Sequence, residues 1–81
     1  MRCTVLLFAQ MAEAIQADRL EIELDEGATV RDALDGLARN HEGIAAMAGC
    51  LAVAVNERYS PASTTLNNGD TIALIPPVSG G

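Results

Sequence analysis

Apolar and polar residues alternate along several stretches of the chain with the period of two that is typical of β-strands. The pattern predicts strands over residues 2–9, 19–24, 51–55 and 71–75, and a short peripheral strand within residues 59–65. Pro61 limits that last strand because proline cannot donate to a sheet. Alternation predicts the following core positions: Cys3, Val5, Leu7, Leu20, Ile22, Leu24, Ile72 and Leu74. Glu21 and Glu23 lie between the apolar residues of their strand, as is typical of a strand at a sheet edge.

One segment has the period of an amphipathic helix instead. Its apolar stripe is formed by Val30, Ala33, Leu34, Leu37 and Ala38. Thr29 is the predicted N-cap, with Asp32 completing a weak capping box, and Asn40 or Gly43 is the expected end. Residues 10–17 are predicted to form a short helix or a loop that links two strands, and residues 44–48 a short helical turn.

The order of these elements is strand, strand, helix and then about three strands. Because the first and last strands carry only the termini beyond them, we expect them to pair side by side. One main helix on one face of a mixed sheet of about five strands is an α+β arrangement. We expect residues 1–75 to form the globular domain and residues 76–81 a flexible tail.

Alternation also directs a second set of apolar residues to the face that the helix leaves open. This set is Leu6, Phe8, Ala73 and Ile75, with Tyr59 beside them. Phe8 and Tyr59 are the only Phe and Tyr in the chain, and aromatic residues on an uncovered face are typical of a binding surface. The alternative is that a loop covers them.

Composition narrows the possible partners. The 81 residues carry a formal net charge of −6, which argues against nucleic acid and anionic membranes as partners.

Neither a transmembrane run nor a signal peptide is evident, so we expect a cytoplasmic protein. Lysine is absent, and all five basic residues are arginine. Cys3 and Cys50 are expected to be free thiols, and the single histidine, His41, makes a metal site improbable.

The sequence contains no phosphate-binding glycine loop and no credible nucleophile–base set. The chemically unusual part is the ending, Pro76-Pro77-Val78-Ser79-Gly80-Gly81. Two glycines make a thin tail that fits a narrow channel, and two prolines stiffen its base. The Gly81 carboxylate could attack the α-phosphate of ATP and become an acyl adenylate, but a partner enzyme would have to bind the ATP. The alternative is an idle end of the kind that most domains have.

Several segments resemble the small subunit of molybdopterin synthase, a sulfur carrier with a ubiquitin-like β-grasp fold. They are residues 5–10 (VLLFAQ), 27–30 (GATV), 53–56 (VAVN), 68–70 (NGD) and 74–81 (LIPPVSGG). The resemblance covers essentially the whole chain, and its specific part is the Pro-Pro-Val-Ser-Gly-Gly ending. Two positions depart from the family pattern: Ala12, where members commonly carry a basic residue, and Gln16, near which they often have glycine.

The resemblance implies that an adenylating enzyme related to ubiquitin activators converts Gly81 to a glycyl adenylate with ATP. A sulfur donor protein then forms a thiocarboxylate. The tail, residues 76–80, inserts into the large subunit of a heterotetrameric synthase, where Gly81 gives its sulfur to the pterin precursor. The carrier itself would be non-catalytic, with no cofactor, no metal and no phosphopantetheine arm. The open face formed by Leu6, Phe8, Tyr59, Ala73 and Ile75 would dock on the partners.

Three other hypotheses stay open at this point. The thiamine-pathway sulfur carrier also ends in Gly-Gly, but it is typically shorter and lacks the Pro-Pro-Val-Ser approach. A ubiquitin-like protein modifier would use Gly81 to form isopeptide bonds with lysines. A plain β-grasp interaction module would have an idle tail, and would tolerate the loss of Gly80 and Gly81.

Overall fold

The computed structural model describes residues 1–77. Its eight elements, in chain order, are β1 (Arg2–Leu7), α1 (Ala9–Ile15), β2 (Arg19–Glu23), α2 (Val30–Asn40), α3 (Glu42–Met47), β3 (Ala52–Val55), β4 (Arg58–Tyr59) and β5 (Thr71–Ile75). The strands form one sheet in the order β2-β1-β5-β3-β4. β1 and β5 pair in parallel, whereas the other pairs are antiparallel. The predicted α+β fold, with a five-stranded mixed sheet and a main helix on one face, is confirmed.

Alternation along β1 and β5 builds the floor of the core. Val5 and Leu74 are fully buried, and Cys3, Leu7 and Ile72 are at most 2% exposed. The parallel register places Val5 beside Ile72 and Leu7 beside Leu74, so the apolar side chains of the two central strands form a continuous surface. The predicted inward positions of these strands are therefore correct. Those of β2 are half-buried, as suits an edge strand.

The main helix α2 starts as the sequence predicts. The Thr29 hydroxyl accepts a hydrogen bond from the Asp32 amide at 3.3 Å, and an Asp32 carboxylate oxygen accepts one from the Thr29 amide at 2.9 Å. This reciprocal box satisfies N–H groups that the first helical turn leaves free. The next amides, of Val30 and Arg31, donate to carbonyls of the 62–64 segment at 2.9 Å each. The helix ends at Asn40.

The burial of α2 differs from prediction at two positions. Val30, Ala33 and Leu37 are buried, but Leu34 and Ala38 are only half-buried. Leu34 lies on the wall of an open groove of about 710 Å³ that also includes Leu51 and Pro61. β4 is only two residues long, so the sheet does not extend over this side of the helix.

The two short helices form where short helical turns were expected. α1 buries Met11 and ends at Gln16, whose φ of 62° and ψ of 37° are left-handed. Glycine adopts this conformation without a steric cost, whereas glutamine does not. α3 buries Ile44, and the His41 backbone connects α2 to α3.

Asp70 and Leu66 were missed as core residues. Asp70 is 9% exposed, and its carboxylate accepts hydrogen bonds from the Asn67 amide at 2.8 Å and from Asn56 Nδ2 at 2.9 Å. Asn56 Oδ1 in turn accepts from the Thr71 amide at 3.0 Å. These bonds join the β3–β4 turn to the turn before β5, and a buried carboxylate needs such partners.

Both cysteines are free, as expected, and their environments differ. Cys3 is buried and Cys50 is exposed. Burial, and secondarily the nearby Asp70 carboxylate, raise the pKa of the Cys3 thiol. Cys3 therefore acts as a small core residue rather than as a nucleophile.

Candidate functional site

The face of the sheet opposite α2 is the candidate site, and we call it the outer face. Strand register places Leu6 of β1 beside Ala73 of β5, Ala73 beside Ala54 of β3, and Ala54 beside Tyr59 of β4. Leu6 and Ala73 are partly exposed, and Tyr59 is 76% exposed. Three of the predicted residues, Leu6, Ala73 and Tyr59, thus lie in one row across the sheet, and within residues 1–77 no helix covers this row.

Phe8 lies where β1 ends and α1 begins. Its backbone is extended, with φ −127° and ψ 154°, and its carbonyl accepts hydrogen bonds from the Met11 and Ala12 amides at 3.1 and 3.4 Å. Ala9 follows with a φ of 50°, a conformation unfavourable for alanine. The backbone around Phe8 is therefore fixed at both sides, while its side chain is 46% exposed.

The tail departs from the same end of the sheet. Since β1 and β5 are parallel, their carboxyl ends lie together, and Phe8 and Ile75 follow the paired residues Leu7 and Leu74. Ile75 also lies opposite Ala52 of β3. Pro76 is partly exposed and Pro77 exposed. The other predicted tail residues, Val78, Ser79, Gly80 and Gly81, lie outside the described residues.

Tyr59 is positioned by a tight hairpin. Val55 pairs with Arg58, so the connection between β3 and β4 has two residues, Asn56 and Glu57. Both have positive φ, 50° and 71°, which is the pattern of a type I′ turn. This turn matches the twist of the paired strands and holds Tyr59 at the edge of the outer face.

The charges around the outer face are concentrated at its β2 side. Arg19 lies opposite Leu6 and, with Asp18 and Phe8, lines a shallow depression of about 480 Å³. Glu21 follows on the same face of β2, and Glu23 forms a 2.9 Å ion pair with Arg2. The hydrogen bond from Arg2 and the positive charge of its guanidinium lower the pKa of the Glu23 carboxyl, while the same hydrogen bond and the negative charge of Glu23 raise the pKa of Arg2. The apolar row therefore has a charged rim on one side.

The sequence analysis missed two residues of this row, Arg19 and Ala54. Arg19 occupies an alternate position of the same strand as Glu21 and Glu23, so strand periodicity could have placed it on the outer face. Ala54 is only 7% exposed, and its position beside Tyr59 depends on the hairpin register, which the sequence does not state.

Within residues 1–77, no group of three or more His, Cys, Asp or Glu side chains could hold a metal ion. In the same range, no helix has the length and apolar character needed to cross a bilayer. The chemistry of a carrier would have to be supplied by the tail, beyond the part of the chain that the structure describes.

Comparisons with known proteins agree with this arrangement. The ThiS family model matches residues 5–81. The molybdopterin synthase sulfur carrier subunit of Haemophilus influenzae is 39% identical over 79 residues, which cover 95% of this chain and 96% of that protein.

Two solved structures have a similar fold. The crystal structure of SAMP1 from Haloferax volcanii matches with a TM-score of 0.87 and 30% identity, covering 100% of both chains. A complex of subunits 1 and 2 of the molybdopterin-converting factor from Helicobacter pylori matches with a TM-score of 0.72 and 28% identity, again over 100% of both chains. The latter contains a chain with this fold bound to a second subunit.

Proposed function

The chain belongs to the ThiS family, and from this premise we propose that it is the sulfur carrier subunit of a molybdopterin synthase. The observation that carries the proposal is its near full-length match to such a subunit, at 39% identity. The open apolar face beside the start of the tail supports it, because a carrier needs a docking surface next to the segment that bears its cargo. The chain is the non-catalytic subunit of the complex.

The proposed cycle takes place at Gly81. In the adenylating enzyme, a carboxylate oxygen attacks the α-phosphorus of ATP and displaces pyrophosphate, giving the glycyl adenylate. Sulfide-level sulfur from a donor protein then attacks the acyl carbon and displaces AMP, giving the thiocarboxylate. In the large subunit, this sulfur attacks a carbon of the pterin precursor and displaces an oxygen leaving group from it, which gives a thioester, and water then cleaves the acyl–sulfur bond. The sulfur remains on the pterin, and the Gly81 carboxylate is restored.

The outer face is the proposed docking surface for both partners. Leu6, Phe8, Tyr59, Ala73 and Ile75 contact the large subunit and, at another stage, the adenylating enzyme, so the two compete. Docking fixes the direction in which Pro76 and Pro77 leave the sheet. It thereby removes part of the entropy cost of threading Val78, Ser79 and Gly80 into a channel.

In this cycle the chain itself binds no cofactor, since ATP is bound by the adenylating partner. The free thiols of Cys3 and Cys50 suit a reducing compartment. We therefore propose the cytoplasm as the site of the reaction.

The first prediction concerns the last residue. Deleting Gly81 is expected to abolish sulfur transfer and to leave thermal stability unchanged, because the buried core lies within residues 3–74. The measurement is the intact mass after incubation with an adenylating enzyme, ATP and a sulfur donor. The mass of the full chain should increase by the difference between a sulfur atom and an oxygen atom, and the mass of the deletion variant should not change.

A matched pair of variants controls for the chemistry of glycine. Gly49 is exposed, and a Cβ added there would meet no heavy atom within 4 Å, so Gly49→Ala should acquire sulfur normally while Gly81→Ala should not. Transfer of sulfur to the pterin precursor by the deletion variant would disprove the carrier function. Amide conjugates to lysines of other proteins, in place of a thiocarboxylate, would instead identify a protein modifier.

A further inference from the structure

The edge strand β2 has free hydrogen-bonding groups along its outer side. Within residues 1–77, β2 pairs only with β1. Met1 and Leu24 exchange two backbone hydrogen bonds of 2.8 Å each. Because bonded and non-bonded pairs alternate in an antiparallel ladder, the N–H and C=O groups of Arg19, Glu21 and Glu23 point away from β1. This edge can therefore bond to another strand.

A groove lies between this edge and the main helix. It has a volume of about 370 Å³, and its apolar lining consists of Leu20 and Ile22 from β2, Leu24 just after it, and Ala33, Gly36 and Leu37 from α2. A Cβ added at Gly36 would meet only the distal Arg39 Nη2, at 3.9 Å. The missing side chain thus leaves room for small apolar side chains of an added strand.

The groove continues into an acidic depression at the end of β2. This second depression, of about 620 Å³, shares Leu24 and Gly36 with the groove. Its carboxylates are Glu23, Asp25, Glu26, Asp32 and Asp35, with Arg39 as the one cation in the lining. Among residues 1–77, Glu21 forms no ion pair. A strand lying along β2 would therefore meet the apolar groove on one face and Glu21 on the other, with an excess of negative charge where the groove continues past Leu24.

The charges along the β2 edge determine which kind of added strand can pair with it. Opposite charges on directly facing residues stabilise a strand pair, and like charges destabilise it. A second copy of this chain would bring its own Glu21 and a net charge of −6 to this edge, so self-pairing is disfavoured even though Arg19 on the same face is positive. An extended segment with lysine or arginine opposite Glu21 and Glu23, and no cation opposite Arg19, has the complementary pattern.

We propose that the β2 edge and the adjoining groove bind an extended basic segment of a partner protein by strand addition. Its small apolar residues enter the groove beside Ile22 and Gly36, and its basic residues face Glu21 and the acidic depression. β1 lies between this edge and β5, which bears the tail. A partner can therefore hold the carrier here while the tail is engaged elsewhere, a role that goes beyond the sulfur-carrier function.

The test is a titration of the isotope-labelled chain with a short capped peptide of alternating lysine and valine, followed by amide NMR. We expect shifts and slowed hydrogen exchange at Arg19, Glu21 and Glu23. Glu21→Lys should weaken binding about fivefold or more, since a favourable pair becomes a repulsive one. Glu42→Lys, the same charge change on exposed α3, is the matched control and should change binding much less.

A second variant tests the groove itself. Gly36→Leu fills the space beside α2 with a better helix former, so it should retain the fold and lose peptide binding. Three outcomes would overturn the proposal: shifts centred on Leu6 and Phe8, equal losses for the two charge variants, or equal binding of a peptide with glutamate in place of lysine. Self-association of the free chain that Glu21→Lys abolishes would mean that the occupant is a second copy.

Discussion

The two faces of the sheet are formed by the same strands but differ in the size and burial of their side chains. On the inner face, Val5 and Leu74 are fully buried under α2. On the outer face, the row from Leu6 to Tyr59 passes through two alanines, Ala73 and Ala54. Of the large apolar residues on the outer face, Leu6 and Ile75 are partly buried, whereas Phe8 and Tyr59 are 46% and 76% exposed.

We therefore expect the inner face to contribute mainly to folding stability, and the outer face mainly to binding. Hydrophobic stabilisation grows with the apolar area that folding removes from water, so most of it comes from the inner face. A small-residue row between exposed aromatic residues gives a flat surface that contributes less to folding and leaves apolar area for a partner. Substitutions on the two faces should therefore affect different measurements.

The largest expected effect is on the inner face. Leu37→Ala should lower the free energy of unfolding by about 2–5 kcal/mol, because Leu37 is only 4% exposed and its truncation leaves a cavity. Leu34→Ala, on the same helix but half-buried at the groove wall, should cost about 1–2 kcal/mol. Denaturant unfolding of both variants provides the comparison. Equal losses would show that the groove closes over Leu34 in solution.

The next effect is on the outer face. Phe8→Ala should weaken binding to the large subunit and to the adenylating enzyme by about 2 kcal/mol or more, roughly thirtyfold, as aromatic anchors at interfaces do. The melting temperature should change little, because nearly half of the side chain is already in water. Titration calorimetry with each partner and thermal unfolding of the free chain are the measurements.

Leu51→Ala is the control for Phe8→Ala. Leu51 is a half-buried apolar residue that packs against the core, so its truncation should cost stability and leave both affinities unchanged. If Phe8→Ala lowers stability and leaves both affinities intact, Phe8 is a core residue and the division between the faces is wrong.

The smallest expected effect is at the turn that presents Tyr59. Glu57→Gly should stabilise the fold by about 0.5–1 kcal/mol, because Glu57 has a φ of 71° that glycine adopts without strain. Glu26 is exposed and has no positive φ. Glu26→Gly should therefore destabilise the fold by a similar amount, because glycine increases the conformational entropy of the unfolded chain. A loss of stability at both positions would show that the turn is not strained at Glu57.

The sequence predicted those parts of the fold that have a short repeat. The alternation of Cys3, Val5 and Leu7 needs only a period of two, and the capping box of Thr29 and Asp32 spans four residues. Both appear as predicted. Pairing of the first and last strands followed from element order alone, and the parallel register confirms it.

The residues that sequence reasoning missed depend on contacts between distant segments. Leu66 lies in an irregular stretch, and its amide donates to the Ala28 carbonyl at 2.8 Å; no local period indicates its burial. Asp70 was assigned to a turn, correctly, but its burial requires Asn56 from another turn. Of the candidate site, periodicity placed Leu6 and Ala73, whereas Arg19 and Ala54 became part of it only through the strand register.

The position of β5 within the sheet has a mechanical consequence. β5 pairs with β1 on one side and with β3 on the other, and the chain continues from it directly into Pro76. A pull on the tail along the axis of β5 loads the hydrogen bonds of both ladders in shear, so they share the force instead of breaking one after another. Forced unfolding is limited by the rate at which the whole unit opens. The tail is therefore joined to a strand that resists traction through two ladders at once.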